Sequence, residues 1–303
     1  MARIGGRLRA GIITAAAEAH YRLANTESRV PIMPPGPRVL SIETTLARVL
    51  EERLSIARFG DGELRLMGRA GIGFQHASDS LGDALAELAY GDSPSLLVCV
   101  PDIFGSLDAY SEPSAAIWKR HLLRERARWV RTFGRQDSRA HGNAFISRPY
   151  LDWKDKSRAH SRFEMLKQIW RSRDVLVVEG ADTRLGVAND LLAGARSVKR
   201  IIAPSVDAWL CRDDILAAAT QHPGRLILLA LGPTATVLAG DLSALGFQAL
   251  DVGHIDVEYE WYLAGALWKT PIPGKHVNEA GGLPVASLDS DEYRSQVVGQ
   301  IGV

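Results

Sequence analysis

Cysteine is nearly missing: Cys99 and Cys211 are the only two in 303 residues, each in an apolar-leaning segment. That excludes a disulfide framework and a cysteine-ligated zinc site, and makes a reducing cytoplasm the expected compartment. No run of roughly 18 or more apolar residues occurs, so no membrane-spanning helix is expected. Charge of one sign is also lacking, with 36 Lys and Arg against 35 Asp and Glu. A general nucleic-acid binder carries a marked basic excess, so nucleic acid is not an expected partner. Internal repeats and low-complexity tracts are absent as well. What remains is the balance of a globular chain, 46% hydrophobic and 23% charged, long enough to bury a full core.

The N-terminus, MARIGGRLRAGIITAAAEAHYRL, has too short an apolar core for a signal peptide. It reads as a basic helix, either docked loosely in solvent or resting on an anionic membrane or a partner. VPIMPPGPR (30–38) holds four prolines and a glycine and reads as a linker. Residues 1–38 are thus set apart from a main domain over 39–270. After it, Pro271, Pro273, Gly274, Gly281, Gly282 and Pro284 predict an irregular tail over 271–303.

Within the main domain, the apolar spacing of Ile42, Leu46, Val49, Leu50 and Leu54 predicts a helix over 41–54 capped by Ser41. A short strand (55–59) and an acidic turn follow. SLLVCV (95–100) reads as a buried strand, 112–132 as an arginine-rich helix, NAFIS (143–147) as a strand and FEMLKQIW (163–170) as a helix. From 174 the alternation is regular: strands at 174–180, 198–204, 225–232 and 247–253, each followed by a predicted helix, the first being GVANDLLAGA. Continuous apolar strands alternating with helices predict an α/β, Rossmann-like fold, a mostly parallel sheet with helices on both faces. Ligands of such sheets bind at the carboxyl ends of the strands, so the residues just after each strand are the candidates.

After the first strand comes ARFGDGEL, with Arg58, Asp61 and Glu63. It reads either as a solvated turn or as a site for Mg²⁺ or Mn²⁺, which prefer hard carboxylate oxygens and substrate phosphates. Two acids spaced i and i+2 across Gly62 are expected to turn their oxygens to one point. The loop EGADTRLGVANDL places Asn189 and Asp190 in the first turn of a predicted helix. The loop GPTATVLAGDL sets Gly232 at a turn, with Thr234 and Thr236 at a helix start, where free N–H groups suit an anion. The plainer reading makes Thr234 an ordinary helix cap. Neither loop matches G-x-G-x-x-G or a P-loop. NAFISRPYLDWKDKSR brings Arg148, with Lys154, Lys156 and Arg158, beside Tyr150 and Trp153, as a phosphate-binding or merely solvated basic loop. DVGHIDVEYEW crowds Asp251, His254, Asp256, Glu258 and Glu260 into ten residues, either as dipole-favoured acids or as a source of a general base.

In sequence order, ARFGDGEL, FISRPYLDWKDKS, VVEGADTRLGVANDLL, LALGPTATVLAGDL and DVGHIDVEYEW resemble the successive motifs of the GT-D fold glycosyltransferases, bacterial metal-dependent enzymes that use nucleotide sugars. The resemblance runs from about residue 41 to 268. It implies a metal, Mn²⁺ or Mg²⁺, on Asp61 and Glu63, and active-site roles for His254, Asp256, Glu258, Glu260 and Trp261. It also places Gly232 to Ala235 and Asn189–Asp190 near the nucleotide. Two departures are visible: Ala188 stands where the family usually has glycine, and Gly240 where a tyrosine often precedes Asp241. The implied reaction moves a sugar from a nucleotide sugar, a UDP-sugar in first place, to a hydroxyl of a glycan or glycoconjugate in bacterial surface polysaccharide or glycoprotein synthesis. Arg58, Arg148 and the Thr234 helix start would add positive potential, Glu260 first and Glu258 second would act as base, and His254 would orient groups or contact phosphate. The enzyme is expected in the cytoplasm, with peripheral membrane contact through the N-terminus as an option. The alternatives are a hydrolase of the same diphosphate and a non-catalytic nucleotide-sugar binder.

Overall fold

A computed structural model of the chain describes residues 35–134, 140–275, 277, 280 and 290–303. The expected N-terminal helix lies outside the described residues. The strands LLVCV and LILLA are buried along their whole length, as central strands covered on both sides must be. Among the described residues eight strands form one sheet: β1 (Ser55–Arg58), β2 (Leu96–Val100), β3 (Gly142–Asn143), β4 (Asp174–Gly180), β5 (Ser197–Ala203), β6 (Leu226–Ala230), β7 (Ala249–Asp251) and β8 (Val297–Gln300). Their order is β3-β2-β1-β7-β6-β4-β5-β8, and every pairing is parallel.

Side chains of a strand alternate between two faces, and the two cores follow that alternation. Val175 and Val177 join one core with α1 (Ile42–Glu52), α5 (Ala159–Trp170) and α8 (Ile255–Leu263). Leu176 and Val178 join the other with α2 (Asp61–Met67), α3 (Asp79–Tyr90), α6 (Arg212–Thr220) and α7 (Pro233–Ala244). No helix is expected at α3, yet Leu81, Leu85 and Ala89 at helical spacing line its buried side and Ser78 caps it. The remaining long helix, α4 (Glu112–Phe133), flanks the β2–β3 edge and inserts Trp129 and Phe133 into the second core.

This arrangement fixes where a ligand can sit. The chain leaves β1 into α2 on one face and leaves the adjacent β7 into α8 on the other. Neighbouring parallel strands whose following segments part to opposite faces open a crevice at their carboxyl ends. The two acidic segments, after β1 and after β7, therefore face each other across one switch point.

Three expectations are corrected. The strand expected at 143–147 shrinks to Gly142–Asn143, followed by a 3₁₀ turn, Ala144–Ser147. There the Asn143 side chain accepts the Phe145 N–H at 2.9 Å and ends the extended run. The helix expected from Gly186 does not form: Gly186 (φ 72°) and Ala188 (φ 62°) both take left-handed backbone, which an α-helix cannot contain. Asn189 and Asp190 thus lie in a turn, with the Asn189 Oδ1 accepting the Leu191 N–H at 3.0 Å. The tail expected to be irregular contains α9 (Asp291–Gln296) and β8, which extends the sheet beside β5.

Candidate active site

The crevice is built around a clamp between β1 and β7. Arg58 donates from Nη2 to Asp251 Oδ1 at 2.7 Å, from Nε to the Asp251 carbonyl at 2.7 Å, and from Nη1 to Ser147 Oγ at 2.6 Å. Thr236 Oγ1 lies 3.0 Å from the Arg58 carbonyl and 3.1 Å from Asp251 Oδ2, which ties α7 to the same corner. Arg58, expected as a free positive charge toward a phosphate, is thus largely committed to Asp251. Ser147 and Asp251 join the site as residues that fix its shape.

The acid pair after β1 sits in the first turn of α2, not in an open turn. Side chains at i and i+2 of a helix do not face each other, so the glycine-spaced pair does not converge in the way its spacing suggested. Asp61 projects into solvent with no hydrogen-bond or ion-pair partner among the described residues. Glu63 instead curls back over the helix end, where its Oε2 accepts the Gly60 N–H at 2.7 Å. Burial, with Asp251 adding its charge, pushes the Glu63 carboxyl up to about 7, against the pull of backbone donors and Arg58.

The cluster after β7 divides by depth. His254 occupies the cap position of α8, and its carbonyl accepts the Glu258 N–H at 3.0 Å. Asp256 is buried, accepting the Gly186 N–H at 2.8 Å and Asn189 Nδ2 at 2.9 Å on Oδ1, and Lys275 Nζ at 2.7 Å on Oδ2. Burial raises its carboxyl, and Lys275 opposes that. One turn on, Glu260 Oε1 accepts from the same two groups, Asn189 Nδ2 and Lys275 Nζ, both at 2.7 Å. Glu260 keeps 20% of its side chain exposed, and its Oε2 has no partner among the described residues. Glu258 is 0% exposed and its Oε2 accepts the N–H groups of Tyr150 and Leu151, both at 3.0 Å. Its Oε1 is buried without a partner. Burial and the neighbouring Asp152 push this carboxyl up to about 7, while Arg148 and the two N–H groups pull it down. Glu258 therefore pins the Tyr150–Leu151 turn, the segment that follows Arg148.

Other expected binding residues serve as supports. Thr234 and Thr236 are fully buried, and their hydroxyls meet protein groups, Thr234 lying 3.5 Å from Gln75 Oε1. Asp190 accepts Lys167 Nζ at 2.8 Å and Tyr259 Oη at 2.6 Å, so it anchors its turn to α5 and α8. Lys167 and Tyr259 hold it below the ordinary carboxylate range. Gly232 has φ 55° and ψ −140°, backbone open in practice to glycine alone, and a Cβ there would lie 2.5 Å from the Phe74 ring. Phe74 belongs to a loop held by Asp207, which accepts the His76 N–H at 2.6 Å and lies 2.6 Å from His76 Nδ1. That loop covers the start of α7. Gly232→Ala is expected to lower stability by roughly 2–3 kcal/mol through strain and displacement of Phe74. Urea unfolding measures it, and an unchanged midpoint would refute the strain.

Lys275 is the site residue that the sequence hides. It follows Pro273–Gly274, a turn signal in a stretch otherwise without periodicity, and nothing local says which acids it meets. A second hidden pair, Glu179 and Arg200, lies behind the turn: Arg200 Nη1 donates to Glu179 Oε1 at 2.7 Å and to the Leu185 carbonyl at 2.9 Å. Arg200 also reaches Gln296 of α9 at 2.7 Å, so the C-terminal segment helps hold the turn that carries Asn189.

An all-parallel sheet with acids, amides and an ammonium gathered at its switch point defines an α/β protein with its candidate ligand site at the strand carboxyl ends. The chain belongs to the GT-D fold glycosyltransferases: the family described as "Glycosyltransferase GT-D fold" matches residues 56–280. It is 42% identical over 268 residues to a "Probable glycosyl transferase Gly" of Streptococcus gordonii, covering 87% of this chain and 39% of that protein. It is 39% identical over 269 residues to the glycosyltransferase GlyD of Streptococcus pneumoniae serotype 4, covering 87% of this chain and 32% of that protein. The chain thus spans about a third to two-fifths of the length of these relatives. Among solved structures, it superposes with TM-score 0.84 and 41% identity on a domain of unknown function 1792, reported to have a distinct glycosyltransferase fold, over 88% of this chain and 97% of that one. A glycosyltransferase of the same domain type from Streptococcus sanguinis gives TM-score 0.83 at 40% identity, over 88% of this chain and 100% of that one.

Proposed function

We propose that this chain transfers a sugar from a nucleotide sugar, a UDP-sugar in first place, to a hydroxyl of a glycan or glycoconjugate used in bacterial surface polysaccharide or glycoprotein synthesis. The observation that carries the reading is the meeting of the two acidic segments across the β1–β7 crevice, with an exposed Asp61 on one side and a reachable Glu260 on the other.

The carboxylate oxygens of Asp61 and Glu63 are of the kind that Mn²⁺ or Mg²⁺ takes, and these two residues are the proposed holders although their side chains do not converge here. Asp61 offers an unengaged carboxylate, and Glu63 keeps Oε1 free while Oε2 holds the Gly60 N–H. No group of three or more His, Cys, Asp or Glu side chains is gathered for a metal among the described residues. At phosphate sites these ions take one or two protein carboxylates beside phosphate oxygens and water, so the exposed Asp61 would be the first ligand and Glu63 would join through Oε1. When bound, the ion would neutralise charge developing on the leaving diphosphate.

The chain's own groups divide the remaining work. Glu260 Oε2 accepts the acceptor hydroxyl proton, since Oε1 is fixed by Lys275 and Asn189, which also keep the carboxylate oriented. Glu258, sealed from solvent, is assigned to holding the Tyr150–Leu151 turn and Arg148 in place. His254, at the end of α8 beside the crevice, orients or contacts phosphate. The proposed compartment is the cytoplasm, in keeping with two free cysteines.

Glu260→Gln separates chemistry from binding. Turnover is expected to fall by about 10²–10⁴-fold, the span of general acid–base catalysis, with nucleotide affinity by calorimetry nearly unchanged. Lost affinity would move Glu260 to the donor site. Nucleotide release at full rate without any acceptor would replace transfer by hydrolysis.

A further inference from the structure

Away from the crevice, α4 carries an arrangement that the catalytic reading leaves unused. Lys119, Arg120, Arg124, Arg126, Arg128 and Arg131 lie on it against only Glu112 and Glu125, in a chain whose formal net charge is +1. The cations are not spread evenly around the helix. Arg120, Arg124 and Arg131 fall on one exposed stripe at helical spacing, flanked by exposed Lys119. None of these four has an ion-pair or hydrogen-bond partner among the described residues. Two large apolar side chains share that exposed side, Ile117 at 50% and Leu123 at 44% exposure. Glu125 lies on the other side of the helix, 3.3 Å from Arg128. Between Lys119 and Arg131 the outer side thus has cations and apolar residues and no acid.

The stripe ends at an open cleft of about 290 Å³ lined by Met67, Ala86, Tyr90, Arg128, Arg131 and Thr132. At the cleft the unpartnered Arg131 guanidinium stands beside the Tyr90 phenol, with Arg128 next to it already paired to Glu125 and the Leu64 carbonyl, so Arg131 is the group suited to a phosphate monoester or diester. We propose that the outer face of α4 docks on an anionic membrane, with Ile117 and Leu123 at the acyl boundary and the arginines and cleft at lipid phosphates. A soluble polyanion would be met by the cations alone and would leave the two apolar side chains in water. Interfacial helices combine the two residue types on one side because acyl chains and phosphates lie within a few ångströms of each other. Arginine also buries its aliphatic stem while keeping its head at the phosphates.

The docked side does not obstruct the crevice. His121, on the inner side of α4, hydrogen-bonds Trp129 Nε1 at 2.7 Å. Burial holds its imidazole below the ordinary value while the nearby Asp61 carboxylate pushes the other way. Trp129 and Phe133, on the same inner side, enter the second core, so the outer side faces away from the body of the domain. Catalysis at Glu260 plays no part in this inference, which survives or fails separately from it.

The test is co-sedimentation of the full chain with vesicles of phosphatidylcholine alone or mixed with phosphatidylglycerol, at low and high salt. Binding is expected only to the anionic vesicles and to weaken with salt. The variant R120Q/R124Q/R131Q is expected to bind about a hundredfold more weakly, roughly fivefold per charge removed. I117S/L123S, with every charge kept, is expected to lose about tenfold. Thermal melts of both variants should match the parent, because all five side chains are exposed. Equal association with both vesicle types, or undiminished binding by the arginine variant, would overturn the proposal. Vesicle binding untouched by I117S/L123S would overturn it in favour of a soluble polyanion.

Discussion

Asp61→Ala is expected to lower kcat/KM by at least about a hundredfold with Mn²⁺ or Mg²⁺ present, and to leave the fold intact. Removing one group that stabilises developing charge at a transition state typically costs about 10²–10³-fold. The stability side follows from where Asp61 sits. Its carboxylate is exposed and unpartnered among the described residues, so its loss removes only a favourable charge at the start of α2, about 0.3–1 kcal/mol. Glu63 is a poorer first test, because its carboxylate also accepts the Gly60 N–H, and an alanine there would unpin the helix end together with any metal. The measurement is initial rate against metal concentration for parent and variant, beside a melting curve. Full activity at every metal concentration would remove the metal assignment from Asp61. A rate loss that more metal restores would show that Asp61 sets metal affinity.

The sheet was legible because a parallel sheet covered on both faces requires strands with no polar side. LLVCV and LILLA, short continuous apolar runs, meet that demand, and both are strands buried along their whole length. The acids were legible for a related reason: ligands gather at strand carboxyl ends, and ARFGDGEL and DVGHIDVEYEW follow strands. What stayed hidden depends on the third dimension. The GVANDLLAGA segment has a helical distribution of apolar residues, yet Leu192 packs against Gly186, where a Cβ would lie 2.7 Å away, and two left-handed residues turn the chain first. Thr234 and Thr236 look like phosphate donors in one dimension. Their burial under Phe74 and Gln75, and against Asp251, is decided by a loop more than 150 residues distant in sequence and by β7. Glu258 and Glu260 differ by two positions and so fall on different sides of α8. One is sealed and one reachable, a distinction no motif carries.

Lys275→Met is expected to be the most damaging single substitution for stability, at about 3–5 kcal/mol at neutral pH. A buried ion pair gains little over an apolar replacement of the whole set, but removing one partner leaves the other charge buried and uncompensated. Lys275 is 3% exposed and lies 2.7 Å from both Asp256 and Glu260. Methionine fills most of the volume, so the loss is electrostatic and not a cavity. Asp256 then keeps only Gly186 N–H and Asn189 Nδ2 as donors. The sign with pH follows. Burial already raises the folded-state pKa of Asp256, and loss of the ammonium raises it further. A carboxyl with a raised folded pKa destabilises the fold above its unfolded value, and the penalty disappears as pH falls and both states become protonated. The variant should therefore be weakest at pH 7–8 and recover toward the parent at about pH 4–5. Asp256→Asn in the same chain should restore much of the loss at neutral pH, because the stranded charge is gone. Urea unfolding of the two single variants and the double, at both pH values, completes the cycle. A Lys275→Met midpoint equal to the parent, or a double variant weaker than either single, would mean that the ammonium does not compensate Asp256. The activity of the double variant then carries information of its own. Its Glu260 is still in place but no longer held by Lys275, so restored stability with turnover below that of Asp256→Asn alone would identify Lys275 as a residue that positions the base.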